Sequence, residues 1–279
     1  MEHRNQDLTR IISIVNQKGG VGKTTTAVSL SACLAMLRYR TVLIDLDPQG
    51  NATSGLGFSK KELNHSMFDL LIEENPLDII LLPSPVENLS IAPSNNDLLS
   101  VEWELSGEEQ GKYILKKELA RFLWDRPADE RPDFMIIDCP PSLGLLSLNA
   151  ILASDSIVIP VQCEYYALEG LTEILASASM IRQSFNPRLS LEGILLTMAD
   201  RRLNLSRQVE EDIRLAYKDY VFQTVISRSV RLSEAPSHGL PITLYDPDSP
   251  GAKAYLELTQ EIIDHETKST RPWPVRPAL

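Results

Sequence analysis

A glycine-rich segment between a strand-like run and a helix-like run constrains the fold of this 279-residue chain most strongly. Residues 11–15 form an apolar, mostly β-branched run typical of a buried strand, and residues 27–37 are typical of a helix. Three glycines lie in the segment 16–26 between them. A strand, a glycine-rich turn and a helix N-terminus in this order cradle an anion, because backbone N–H groups converge on it and the helix dipole adds positive charge. The sequence therefore predicts a phosphate-binding site at residues 16–26.

The segment departs from the standard P-loop pattern, G-x-x-x-x-G-K-[ST]. Gly22, Lys23 and Thr24 satisfy the second half of the pattern, in which the lysine meets the β- and γ-phosphates and the hydroxyl binds Mg²⁺. Gln17 replaces the first glycine, and a second lysine, Lys18, follows it. A glycine-rich turn whose lysines serve only solubility is the alternative interpretation, but strand, loop and helix all agree with the phosphate site.

Composition indicates an ordinary soluble globular chain, with 43% hydrophobic and 23% charged residues. The length allows one large domain or two, and no break in composition demands a second. The first ten residues are polar, unlike a signal peptide, and no run approaches the roughly 18 apolar residues of a membrane-spanning helix. We therefore expect a cytoplasmic protein. Three cysteines and four histidines lie scattered, without the spacing of a zinc site or a disulfide framework, so metal chemistry beyond Mg²⁺ is not indicated.

Short apolar runs alternate with stretches of helical periodicity along the chain. Strands are predicted at residues 11–15, 41–45, 88–92, 134–138, 156–161, 192–197 and 221–226. Apolar strands separated by helices predict an α/β fold, in which a doubly wound, mostly parallel sheet is flanked by helices on both faces. We expect a flexible extension at 1–10, a single P-loop NTPase-like domain at 11–266 and a disordered, proline-rich tail at 267–279.

Three connecting segments carry weaker patterns. Residues 68–71 predict a short helix, and residues 107–124 predict a longer one. The acidic segment 101–110 is expected to be solvated.

Carboxylates stand at the ends of two predicted strands. Asp45 and Asp47 lie at the end of the second strand, and Asp138 ends the fourth. Because ligands bind beyond the carboxyl ends of strands in an open parallel sheet, all three are expected near the phosphate loop. Asp45 and Asp47 could position a water molecule and shape Mg²⁺ coordination, or could only cap a turn, and the residues alone leave both open. Asp138 fits the Walker B position, where a carboxylate supports Mg²⁺ near Thr24.

Five segments together form a recognisable set. They are Lys-Gly-Gly-x-Gly-Lys-Thr at 18–24 and residues 45–53, 138–142, 160–170 and 230–237. This set resembles the deviant Walker A ATPases of the ParA/MinD family, and in particular its Soj-type chromosomal ParA proteins, over residues 11–264. The resemblance implies that ATP is bound by the loop and one strand-end aspartate, namely by Lys18, Gly19, Gly20, Val21, Gly22, Lys23, Thr24, Thr25 and Asp138. It implies Mg²⁺ at Thr24, Asp47 and Asp138, partly through water.

The resemblance also implies catalytic roles for three residues. Lys23 holds the phosphates, Asp47 positions the attacking water, and Lys18 reaches the nucleotide of a partner subunit. In that family ATP drives a sandwich dimer, the dimer binds double-stranded DNA without sequence preference, and ParB stimulates hydrolysis to release it. The implied partners are therefore a second copy of the chain, nonspecific DNA and a ParB-type protein, with nucleoid association and no membrane.

Arg202 and Arg231 match the family's DNA-contacting positions, although surface solubility is their alternative role. A net charge of −11 does not exclude DNA binding, because residues 60–110 carry −9 whereas residues 200–231 carry +2. Arg4 and Arg10 are candidates for a ParB contact, because both are basic and near the terminus.

Two departures and two alternative functions remain open. Ser227 stands where many relatives have proline, in a region expected to approach the adenine, and the expected N-terminal extension is too short for a helix-turn-helix domain.

A MinD-like membrane-cycling regulator is one alternative, but residues 255–264 are acidic and ill suited to anionic lipid. A P-loop metabolic ligase or an iron–sulfur reductase component is the other, although Cys139 and Cys163 lack cluster-ligand spacing.

Overall fold

The computed structural model describes residues 9–265 and 273–274, and eight strands lie within them. The strands are β1 (Arg10–Ile14), β2 (Thr41–Asp45), β3 (Leu82–Pro83), β4 (Leu89–Ala92), β5 (Phe134–Asp138), β6 (Ser156–Gln162), β7 (Ser190–Ala199) and β8 (Val221–Ser227). They form one sheet in the order β3-β4-β2-β5-β1-β6-β7-β8. All neighbouring strands pair in parallel except β3 and β4, which pair antiparallel. β1, which leads into the glycine-rich loop, therefore lies inside the sheet.

Helices connect the strands. In the described part of the chain they are α1 (Lys23–Met36), α2 (Asn51–Gly55), α3 (Met67–Ile72), α4 (Leu77–Ile80), α5 (Val101–Glu104), α6 (Ile114–Trp124), α7 (Leu145–Ala153), α8 (Ala167–Ser184), α9 (Asn204–Tyr217), α10 (Val230–Glu234), α11 (Ile242–Tyr245) and α12 (Pro250–Asp264). Short 3₁₀ helices lie at Asn96–Ser100, Gly111–Tyr113, Ala128–Glu130, Lys218–Tyr220 and Ala235–His238. No helix of the described residues is long and apolar enough to cross a bilayer.

The sheet divides the hydrophobic core into two layers. Along β1, Ile11 packs into one layer and Ile12 and Ile14 pack into the other, as the alternation of side chains along a strand requires. One layer is closed by α1 and α12, which contact each other, and the other by α3, α6, α7, α8 and α9. The predicted α/β, doubly wound, mostly parallel single-domain fold is confirmed. The seven predicted strands lie within two residues of the observed ends.

Thr9 and Arg10, which were expected in the flexible extension, belong to the fold. Arg10 pairs with Phe134 in the sheet, and Thr9 donates a hydrogen bond to the carbonyl of Pro132 at 2.7 Å. The Arg10 guanidinium donates to Glu192 at 2.8 Å and to the Ile262 carbonyl at 2.9 Å. The extension 1–10 was therefore wrong at its last two residues, and the side chain of Arg10 is engaged inside its own chain rather than left for ParB. Arg4 lies outside the described residues.

Nonlocal packing also changes three weaker expectations. The acidic segment is not uniformly solvated, because Val101 is fully buried while Trp103 in the same turn is 84% exposed. α6 begins at Ile114, seven residues later than predicted from 107. In the tail, Trp273 packs against the core beneath the Arg182 guanidinium, 5.7 Å from the ring centre, so the tail has something to bury. The rest of the predicted tail lies outside the described residues.

Candidate nucleotide-binding site

The carboxyl ends of three neighbouring strands bring the glycine-rich loop and the strand-end aspartates to one edge of the sheet. β5 lies between β1 and β2. At its end, Asp138 stands in register with Ile14 on one side and with Asp45 on the other. The loop that continues from β1 therefore starts beside Asp138.

The loop adopts backbone conformations that only glycine accommodates easily. Gly20 has φ +76° and Gly22 has φ +90°, both in the left-handed region. A Cβ atom at Gly19 or Gly20 would meet no atom within 4 Å, so the loop backbone is open on that side. α1 begins at Lys23, and no described side chain caps its first turn, which leaves its first N–H groups for another acceptor. An open backbone that leads into an uncapped helix is suited to bind a phosphate chain.

Two side chains to which the sequence had assigned no role hold this loop in place. The buried Thr197 hydroxyl in β7 donates to the Val21 carbonyl at 2.9 Å. The Asn16 amide donates to the Pro160 carbonyl in β6 at 2.7 Å and accepts from the Lys18 N–H at 2.9 Å. Both residues lie at or near the carboxyl end of a buried strand, and this position is the signal that could have found them. The loop is thus tied to β6, which lies beside β1, and to β7, the next strand in the sheet.

Lys23 places a buried ammonium group at the N-terminus of α1. The residue is 6% exposed, and its Nζ donates to the Lys18 carbonyl at 3.0 Å. Burial lowers the pKa of this ammonium, while the negative charges of Asp138 and Asp47 act in the opposite direction. Thr24 and Thr25 follow in the first turn, both half-buried. A buried cation beside uncapped N–H groups is the chemistry that receives anionic oxygens.

Asp138 is a fully buried carboxylate whose oxygens lack hydrogen-bond partners among the described residues. Burial and then the charge of Asp45 raise its pKa well above the usual range, while the nearby Thr24 hydroxyl acts in the opposite direction without making a regular hydrogen bond. A divalent cation would satisfy such a carboxylate, so the residues fit Mg²⁺.

The protein supplies few of the oxygens that Mg²⁺ needs. No group of three His, Cys, Asp or Glu side chains in residues 9–265 and 273–274 is arranged to hold a metal ion. Mg²⁺ commonly takes one or two protein oxygens and fills its octahedron with phosphate and water. Asp138 and the Thr24 hydroxyl can fill that limited role.

Asp45 is a cap, which resolves one of the alternatives left by the sequence. Its Oδ2 accepts hydrogen bonds from the N–H and the hydroxyl of Thr53 at 2.8 and 2.7 Å, in the first turn of α2. Its Oδ1 accepts from the Asp47 N–H at 3.3 Å. Burial raises the pKa of Asp45 to about 6, against the effect of these hydrogen bonds. Asp45 therefore shapes the segment that carries Asp47.

Asp47 lies on the turn between β2 and α2, near enough to Lys23 and Asp138 for the charges to interact. These three side chains form the Lys23 cluster. Asp47 is 7% exposed, and its Oδ1 accepts from the Gln49 N–H at 2.9 Å. Its carbonyl accepts from the Ser94 hydroxyl at 2.8 Å. Neither Ser94 nor Thr53 was assigned a role from the sequence. Ser94 follows β4 by two residues, a position that again could have identified it.

Lys18 behaves differently from Lys23, although both stand on the same loop. Its Nζ pairs with Glu164 Oε2 at 3.1 Å, and its side chain is 52% exposed. Only its backbone carbonyl contacts Lys23. The second lysine of the motif is therefore available at the surface.

Arg202 and Arg231 lie outside this cluster. They follow β7 and β8, which stand two and three strands from β1 in the sheet. Arg202 makes a two-pronged pair with Asp200 at 2.8 and 2.6 Å, which lowers the pKa of Asp200 to about 2. Arg231 pairs with Glu234 at 3.2 Å and with Asp246 at 3.3 Å. Both arginines remain largely exposed.

The fold and this cluster define a P-loop nucleotide-binding protein. The family described as AAA domain matches residues 9–191. The sporulation initiation inhibitor protein Soj of Bacillus subtilis is 50% identical over 91% of this chain and 98% of its own length. The chromosome partitioning protein ParA of Myxococcus xanthus is 47% identical over 94% of this chain and 91% of its own length. This chain therefore belongs to the Soj/ParA family of chromosome partitioning proteins.

Solved structures share the fold. Cobyrinic acid a,c-diamide synthase from Mycobacterium smegmatis, with bound ADP and magnesium, has a TM-score of 0.81 at 33% identity and covers 97% of this chain and 100% of its own. The Pyrococcus furiosus cell division ATPase MinD has a TM-score of 0.74 at 24% identity, over 92% of this chain and 99% of its own. The MinD likeness concerns the fold alone.

Proposed function

We propose that this chain is an ATP-driven switch, which dimerises around ATP and binds double-stranded DNA without sequence preference. Hydrolysis to ADP and phosphate, stimulated by a ParB-type partner, then releases it from DNA and from its own copy. Relatives that carry a chromosome partitioning name support this role at 43–47% identity. The chain is expected in the cytoplasm, on the nucleoid when ATP is bound.

ATP and Mg²⁺ are the ligands of the phosphate cradle. The N–H groups of Gly19 to Thr25 and the Lys23 ammonium receive the phosphate oxygens, and the Thr24 hydroxyl and Asp138 hold Mg²⁺, in part through water. Mg²⁺ neutralises charge on the phosphates when bound. Asp47 orients the attacking water, because its carboxylate lies in the Lys23 cluster while its backbone is held on both sides. Phosphoryl transfer depends mostly on such positioning and charge stabilisation.

The surface exposure of the Lys18 ammonium is the observation that supports the proposed dimer. The Lys18 side chain is about half exposed and pairs with Glu164 at the surface, so its ammonium can reach across an interface to a second copy. Exposed pairs of this kind contribute little, so a nucleotide phosphate on a second copy can displace Glu164. A cation supplied in trans accelerates phosphoryl transfer by about 10³ to 10⁵. A single chain is therefore a poor ATPase.

The test compares Lys18→Ala with Lys253→Ala, which removes an exposed lysine from α12. Lys18→Ala should bind ATP as the unmodified protein does, fail to form the ATP-dependent dimer in light scattering, and hydrolyse ATP at least tenfold more slowly at saturating protein. Lys253→Ala should behave as the unmodified protein. An ATP-dependent dimer that survives Lys18→Ala, with hydrolysis unchanged, would refute the trans role.

A second candidate function is an ATP-dependent amide-forming ligase. The diamide synthase structure supports it, at 33% identity over nearly the whole chain. The relatives named chromosome partitioning protein are more similar in sequence, at 43–47% identity, and therefore favour the switch. A ligase has no reason to bind DNA, so DNA binding separates the two.

A further inference from the structure

Two hydrogen bonds join Ser94, on the loop after β4, to the segment 45–53 that carries Asp47, and a third links Thr53 to Asp45 within that segment. The Ser94 hydroxyl donates to the Asp47 carbonyl at 2.8 Å, and the Ser94 N–H donates to the Thr53 hydroxyl at 2.9 Å. The Thr53 hydroxyl donates in turn to Asp45 at 2.7 Å. Asp45, Thr53 and Ser94 are all fully buried. Water therefore does not compete for these contacts.

These contacts form a closed ring around the backbone of Asp47. Asp45 accepts from the Asp47 N–H at 3.3 Å, and Ser94 donates to the carbonyl of the same residue at 2.8 Å. The turn also packs directly on Ser94, since a Cβ atom at Gly50 would come within 2.7 Å of the Ser94 carbonyl oxygen. The main chain of Asp47 is thus fixed on both sides, although its carboxylate is not itself part of the ring.

We infer that Ser94 and Thr53 are positioning residues for ATP hydrolysis. They hold the Asp47 carboxylate in position to act on the water that attacks the reacting phosphate. This inference rests on the proposed role of Asp47. Neither residue touches the reacting atoms. Both act by fixing the position of the 45–53 segment relative to the phosphate loop, which follows β1. Small displacements matter at this step, because a shift of about 1 Å in a positioning group can cost on the order of 10²-fold in rate.

The positioning role predicts that hydrolysis slows while ATP binding stays unchanged. Ser94→Ala and Thr53→Val each remove one hydroxyl of the ring, and each should lower kcat about tenfold with KM for ATP changed by less than about twofold. Thr53→Ser keeps the hydroxyl and should restore kcat. Ser31→Ala is the matched control, because Ser31 is equally buried and its hydroxyl has no partner in the described part of the chain.

Asp47→Asn, measured beside these variants, separates failure of the inference from failure of the proposed function. If Asp47→Asn abolishes hydrolysis and Ser94→Ala and Thr53→Val match Ser31→Ala in kcat, the positioning role is wrong while the role of Asp47 stands. If Asp47→Asn hydrolyses ATP at the full rate, the proposed role of Asp47 fails and the inference fails with it. Equal losses of kcat, ATP affinity and thermal stability in the ring variants, without rescue by Thr53→Ser, would show a merely structural role.

Discussion

The buried carboxylate of Asp138, at the carboxyl edge of the sheet, lowers the stability of the empty protein and favours the binding of a cation. Asp138 is buried between Asp45 and Lys23 with both oxygens unpaired among the described residues, which raises the pKa of its carboxyl. A buried carboxylate without partners destabilises the empty protein, because its desolvation is not repaid by hydrogen bonds. A bound cation removes that penalty.

Asp138→Asn should therefore stabilise the nucleotide-free chain and weaken its response to Mg²⁺ and ATP. Without nucleotide at pH 8, the free energy of unfolding should rise by about 1–3 kcal/mol, because a neutral amide costs less to bury than an unpaired carboxylate. The stabilisation by Mg-ATP, measured as a rise in Tm, should largely disappear. Asp129→Asn, in the exposed 3₁₀ helix Ala128–Glu130, is the control. A variant that unfolds more easily when empty, or that responds fully to Mg-ATP, contradicts this account.

Among the secondary-structure elements, a buried charge cluster joins the first strand to the last helix. Glu192 in β7 accepts hydrogen bonds from Arg10 at 2.8 Å and Ser156 at 2.7 Å, and its other oxygen lies 3.4 Å from the imidazole of His265, which follows α12. Burial alone would raise the pKa of Glu192, but His265, Arg10 and Ser156 together outweigh burial and lower it. The cluster thus stabilises the ionised form of Glu192.

Glu192→Gln should destabilise the fold in a pH-dependent way. The pKa of Glu192 is lower in the folded chain than its ordinary value of 4.5, so its stabilisation is complete above about pH 4.5 and is lost as the pH falls through the folded pKa. At pH 7 we expect a loss of about 1–3 kcal/mol, because the variant lacks the carboxylate charge that faces Arg10 in the buried cluster. Chemical denaturation from pH 3 to 8 measures it, with the exposed Glu257→Gln as control. A loss that does not shrink in acid would contradict the assignment.

Local patterns predicted much of the fold and the inner part of the site. β2 and β5 agree with prediction at both ends, because an apolar run of strand length needs no distant information. The glycine loop and Asp138 follow from the same local logic. Arg10 was missed because its partner, Glu192, lies 182 positions away, and Ser94 was missed because Asp47 lies 47 positions away. Such contacts depend on strand order, which the sequence pattern does not specify.

For the molecule as a whole, the uneven distribution of charge is compatible with the proposed DNA binding. The net charge is −11, but Arg202 and Arg231 follow adjacent strands, β7 and β8, on the edge of the sheet that also carries the phosphate loop. Each arginine is now paired with acidic neighbours on the surface. Exposed pairs are weak and screened by salt, so DNA phosphates can replace those carboxylates. The proposed dimer would present twice as many arginines, and affinity for DNA grows steeply with the number of phosphates neutralised.

The double variant Arg202→Ala/Arg231→Ala tests this arrangement against Arg121→Ala/Arg188→Ala, which removes the same charge from exposed positions elsewhere. The first variant should still dimerise with ATP but lose DNA binding. In any residual binding, the slope of log affinity against log salt should fall by roughly 3 to 4, as expected for a dimer that loses four phosphate contacts. The control variant should keep the unmodified slope.

The most direct measurement is the affinity of these proteins for a nonspecific DNA duplex with ATP, with ADP and without nucleotide, followed by fluorescence anisotropy across a salt series. We predict that the unmodified chain and the charge-matched control bind DNA tightly only with ATP, and that Arg202→Ala/Arg231→Ala does not bind under any of the three conditions. DNA binding that is absent with ATP, that is equal in all three nucleotide conditions, or that keeps its salt slope in the Arg202→Ala/Arg231→Ala variant, would contradict the ATP-driven switch.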